Sequence, residues 1–129
     1  MKIRPYVVAL ATLITLAGTS EAKILASGPL YSAGGPAGGL FVCRIFNAGL
    51  ANVSMSLRQI ITNTNVVLPL TSDTCNVALA PGRYCAFQAT IVGNLAHSCR
   101  VFAGGTDTEI RGTAQIQSGA TVLGSTPLQ

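Results

Sequence analysis

Four cysteines, Cys43, Cys75, Cys85 and Cys99, and one histidine, His97, hold most of the chemistry this sequence could perform. Cysteines bind zinc or exchange disulfides when they recur as C-x-x-C pairs. That spacing is missing here, so the residues imply neither a metal site nor a redox pair. His97 stands beside Ser98, with Asp73 and Asp107 elsewhere, which supplies the residue types of a nucleophilic triad. The G-x-S-x-G turn that would expose a nucleophilic serine is not found. The expectation for His97 is therefore a solvated side chain in a turn before a strand. Asp107 and Glu109, two apart, would share one strand face as paired carboxylates, but Arg111 follows them, and the pattern reads as a salt-bridged strand end. Residues 32–39, SAGGPAGG, have no Lys and no helix after them, as a phosphate-cradling loop would require. No catalytic residue, metal ligand or cofactor is assigned, and the chain is not expected to be an enzyme.

The cysteines read instead as disulfides, because the chain opens like an exported protein. Lys2 and Arg4 precede an apolar run at residues 6–17, and small residues at Ser20 and Ala22 suit signal-peptidase cleavage before Lys23. The run is too short to span a bilayer, which needs ~20 helical residues. Thr19 stands where a lipoprotein signal would carry Cys, so no lasting membrane anchor is expected. The expected location is the periplasm or the medium, where an even cysteine count implies disulfides. Four cysteines allow three pairings. The Pro81-Gly82 turn between Cys75 and Cys85 favours a local bridge there, which leaves Cys43 to Cys99.

The elements that must hold these residues follow from composition and alternation. The chain has 129 residues, 49% hydrophobic and only 9% charged, with no Trp. That is one domain, far less charged than the usual quarter. Beyond the leader the basic residues are Lys23, Arg44, Arg58, Arg83, Arg100 and Arg111, against Asp73, Asp107 and Glu109. This weak, dispersed positive balance lacks the clustering of a nucleic-acid binder. Residues 23–39 read as a flexible arm because of their glycines and prolines. From residue 40 to 129 period-two alternation dominates. Phe41, Cys43 and Ile45 share a face opposite Arg44 and Phe46. Val53, Met55 and Leu57 alternate with Ser54, Ser56 and Arg58. Cys85, Phe87, Ala89 and Ile91 point one way, and Ile110, Gly112, Ala114 and Ile116 do the same in a later strand. A short edge is expected at residues 121–123. The pattern predicts six to eight short strands in an antiparallel β-sandwich, Ig-like or jelly-roll-like, with a small barrel as the alternative.

Cys43-Arg44-Ile45-Phe46 has an echo in Cys99-Arg100-Val101-Phe102. If the two strands lie together, Arg44, Phe46, Arg100 and Phe102 form one mixed patch of the kind that binds partners. Otherwise a second sheet or a loop covers the phenylalanines. The run from Phe41 to Gln117 resembles a group of small exported bacterial proteins. The shared features are Cys43 with Asn47-Ala48-Gly49, Leu79-Ala80-Pro81-Gly82 with Cys85, Cys99-Arg100-Val101, and Ile110-Arg111. The resemblance implies a disulfide-bonded β-sandwich and carries no ligand. The expected function is a secreted or periplasmic structural or interaction module without catalysis, with a protein or cell-surface partner. A pocket would favour a small-molecule or glycan binder. A fibre or adhesin subunit is the remaining alternative, in which residues 23–39 would add to a neighbour's sheet edge.

Overall fold

The computed structural model describes residues 23–31, 39–104 and 109–129. The leader expected at residues 1–22, most of the glycine-rich segment and Asp107 lie outside the described residues. The described chain forms β1 (Lys23–Ala26), β2 (Leu30–Tyr31), β3 (Leu40–Asn47), β4 (Ser54–Thr62) and β5 (Ser72–Asp73). It continues as β6 (Tyr84–Thr90), β7 (Ala96–Gly104), β8 (Ile110–Ser118) and β9 (Thr121–Leu128). Strands β5, β6, β3, β8 and β9 bond in that order into one sheet. In the other, β7 is central, with β4 on one side and β1 and β2 on the other. All pairings are antiparallel, and the two sheets stack as an all-β sandwich rather than closing into a barrel.

Alternation decides what lies between the sheets. Phe41, Cys43 and Ile45 of β3, Phe87 and Ala89 of β6 and Ala114 of β8 are fully buried, as their period predicts. They meet Ile60 of β4 and Cys99, Val101 and Ala103 of β7 in one apolar cluster. Removing such side chains from water stabilises the fold by about 1.5–3 kcal/mol for each large one. Both disulfides are those expected. Cys43–Cys99 joins the middle strands of the two sheets, with 6.1 Å between Cα atoms, while the stacked sheets of a sandwich run ~10 Å apart. The bond therefore ties the two layers together at their centre. Cys75–Cys85 closes a local loop. Pro81-Gly82 turns that loop: Arg83 N–H donates to Ala80 C=O, and Gly82 takes a positive φ of 70°.

Three elements differ from the expectation. The arm read as flexible is partly strand: β1 pairs with residues 100–103 of β7 and buries Leu25, and β2 pairs with its start. Four residues with one inward side chain are too few to show a period. In β4 the register slips between Met55 and Leu57, a β-bulge that moves the chain by one residue. Met55 is buried as expected, but Leu57 turns to the outer face opposite Phe102, and Arg58 takes the inward register opposite Val101. Its Nε then reaches Asp73 Oδ2 on β5 of the other sheet at 2.7 Å, and its Nη1 donates to Met55 C=O at 2.6 Å. Finally, β9 runs eight residues instead of three. Pro127 fits because β9 is an edge strand, where a missing N–H costs no ladder bond.

Asn47 ends β3 fully buried and fully bonded. Its Nδ2 donates to Ala51 C=O and Leu79 C=O at 2.8 Å each, and its Oδ1 accepts from Gly49 N–H. The last bond is the side-chain turn expected of Asn47-Ala48-Gly49, and the others tie two loops to the end of the sheet. That end of β3 is where the outward side chains gather.

Candidate functional site

The outward residues of β3 are Arg44 and Phe46. Their register neighbours on β6 and β8 complete a face. Phe46 lies between Tyr84 and Arg111, and Arg44 between Ala86 and Thr113. A shallow groove of about 210 Å³ opens there, walled by Arg44, Phe46, Tyr84, Arg111 and Thr113 over the backbone of Ile45 and Gly112. Gly112 lets β3 and β8 close beneath it, since a Cβ would come 2.9 Å from Arg44 C=O. Phe46 is 41% and Tyr84 70% exposed, well above what an aromatic ring keeps when it serves only packing.

The charges on this face are unbalanced. Arg44 Nε makes one long bond, 3.3 Å, to Gln115 Oε1. Among the described residues the Arg111 side chain makes no hydrogen bond or ion pair, and neighbouring Glu109 does not pair with it. The salt-bridged strand end expected from Asp107, Glu109 and Arg111 is therefore not formed by Glu109. Asp73 is engaged elsewhere, by Arg58.

The four-residue patch expected from the echo strands is split. Arg44 and Phe46 stand on the outer face of one sheet, Arg100 and Phe102 on the outer face of the other. The cause is the Cys43–Cys99 bond itself. Cysteines that meet across the core force the residues alternating with them to point in opposite directions. Arg100 is held by Gln59, whose Oε1 accepts from Nε at 3.1 Å and Nη2 at 2.5 Å. Phe102 is half-buried, in register between Ile24 and Leu57. Tyr84 and Arg111 take the places that Arg100 and Phe102 were expected to fill. Arg111 alternates with the inward residues of its strand, but the sequence reading gave Tyr84 no face, and neither was legible as a neighbour of Phe46, because strand order was not.

His97 corrects a second expectation. It is an interior residue of β7, fully buried, with its ring stacked on Phe41 at a centroid distance of 5.5 Å. Val92 N–H approaches Nε2 at 3.5 Å, and Nδ1 has no hydrogen-bond partner. Burial lowers its pKa below 6.5, with a backbone interaction at Leu95 opposing the shift in part. Ser98 points to the other face of β7, and Asp73 holds Arg58, so the residues of a triad are not brought together. Among the described residues no three His, Cys, Asp or Glu side chains cluster as metal ligands, and no helix is long and apolar enough to cross a membrane.

Compared with protein-family models, curated proteins and solved structures, the chain matches none.

Proposed function

We propose that this protein is an exported, non-catalytic binding module that presents the outer face of its five-stranded sheet to a partner at or beyond the cell surface. The observation that carries this reading is the groove, where two exposed aromatic rings stand beside two guanidinium groups that no carboxylate of the described chain neutralises. Arginine and aromatic side chains supply most binding energy when a partner desolvates them. Two disulfides agree with an oxidising compartment, and the leader pattern at residues 1–22 supplies the route. The fibre alternative has less support, since β1 and β2 already pair within their own sheet.

The test uses the secreted chain and washed envelope material from its source organism. Wild-type protein is expected to be retained, and the double variant Arg44→Ser, Phe46→Ser to be released at an unchanged melting temperature, since both side chains are exposed. Equal retention of the two proteins, or none of either, overturns the reading.

A further inference from the structure

The groove also shows what kind of group it suits. We infer that it takes a sugar ring bearing a carboxylate, that is, a uronic acid residue of an acidic polysaccharide. This rests on the binding-module reading above and gives its partner a chemistry.

The argument starts from charge. Arg44 and Arg111 are diagonal neighbours on adjacent strands, so their side chains rise from points about 7–8 Å apart, on the diagonal that crosses Phe46 and Thr113. Two like charges so placed repel weakly in water, and an anion between them is attracted by both. Among the described residues Asp73 is held by Arg58 and Glu109 makes no ion pair here. The chain's described carboxylates thus leave this place open to a ligand's anion. A carboxylate suits guanidinium forks, which bind it through paired hydrogen bonds.

The second step is the ring. Phe46 and Tyr84 sit opposite each other on adjacent strands, about 5 Å apart. A charge fixed directly to a ring satisfies both the guanidinium groups and the aromatic faces within that spacing. The volume of about 210 Å³ holds one such unit and not a folded surface.

The third step separates a sugar from a peptide. An extended peptide gains most of its affinity by adding to a sheet edge. Here β3 is bonded on both sides, by β6 and β8, and the site lies in the middle of the sheet. At β3 no backbone ladder is open to a peptide. What continues away from the groove is a polar row along β8, from Thr113 to Gln115, whose Oε1 accepts from both Arg44 and Gln117 and whose amide N–H groups remain for an outside acceptor. A hydroxyl-rich chain finds partners along that row.

The experiment is titration of the secreted chain with polygalacturonate, which carries one carboxylate per ring. Three further polymers separate the terms: its methyl ester keeps the ring without the charge, polyglutamate keeps the carboxylates without the ring, and dextran sulfate is a sulfated glucan. Polygalacturonate is expected to bind at least about tenfold more tightly than each of the others. Arg111→Gln and Tyr84→Ala should each weaken it about tenfold at an unchanged melting temperature, while Arg83→Gln, outside the groove, should not. Equal binding of polyglutamate or dextran sulfate, or an Arg111→Gln variant that binds like wild type, overturns the inference. If the envelope still retains the protein through Arg44 and Phe46 but polygalacturonate neither binds nor competes, the sugar assignment falls and the binding module stands. If the envelope does not retain the protein, the module reading itself falls.

Discussion

An imidazole buried in the core resists protonation, and that makes His97 a source of acid sensitivity. Its pKa is lowered in the folded chain by burial. The unfolded chain therefore takes up a proton first as pH falls. Stability from this group is complete above about 6.5 and drains away below it, until the lowered folded value is passed. Its register neighbours Leu30 and Thr62 carry no charge that could counter the effect. Since this is the one histidine of the chain, its ring resonance is unambiguous in a proton NMR titration. The midpoint is expected below 6.5, and the urea midpoint is expected to be lower at about pH 5.5 than at about pH 7.5, a window above ordinary carboxylate titration. A midpoint at or above 6.5 would contradict the burial. The position of His97 was hidden in the sequence because a histidine is equally at home in a turn and inside a strand. Only the extension of β7 back to Ala96 places it in the core.

Strands long enough to alternate were legible, and those that bend were not. β3, β6, β7 and β8 each carry three or more inward residues at period two, and their faces were read from that period. β4 begins with the same signal, but its bulge reverses the faces from Leu57 onward. No residue type announces a bulge at Ser56. The reversal has a use, because it brings Arg58 to Asp73 and links β4 of one sheet to β5 of the other. That pair is partly exposed and contributes at most about 1 kcal/mol. The close contact of β3 with β8 is more demanding. A methyl at residue 112 would meet Arg44 C=O at 2.9 Å, Ile45 Cδ1 at 3.0 Å and Leu128 Cδ2 at 3.1 Å. Gly112→Ala is expected to cost about 1–3 kcal/mol in urea denaturation, since backbone cannot move aside as a side-chain tip can. It should also disturb the groove built over this position. A variant as stable as wild type would show that the strands can part without loss.

For the molecule as a whole, the two disulfides act over different lengths of chain. Cys43–Cys99 closes 56 residues and Cys75–Cys85 only 10. Restricting the unfolded chain is worth about 4 kcal/mol for the first and about 3 kcal/mol for the second. The long bridge also fills the centre of the core. Replacing Cys43 and Cys99 with Ala is therefore expected to lower the melting temperature more than replacing Cys75 and Cys85. An equal or reversed order would place the greater weight on the local loop. The same long bridge explains why the interaction patch was only half legible. The faces of β3 and β7 were assigned correctly, and the Cys43–Cys99 pairing was too. Taken together, those two readings already place Arg44 and Arg100 back to back. What the sequence did not contain was the lateral order of strands, which brings Tyr84 and Arg111 beside Phe46.

The bond between the two middle strands has one more consequence, in time rather than in space. Strands β3 and β7 are each flanked on both sides by neighbours, and they are covalently tied to one another. Peeling away β9, β5, β1 or β4 leaves both in place. Deuterium should thus enter the outer strands through small local openings, while the amides around Cys43 and Cys99 wait for the whole molecule to open. Exchange monitored by NMR is expected to show those two stretches, from opposite layers, as a single slowest class with one shared opening free energy. Different rates for the two would mean that one sheet can come apart while the other stays closed.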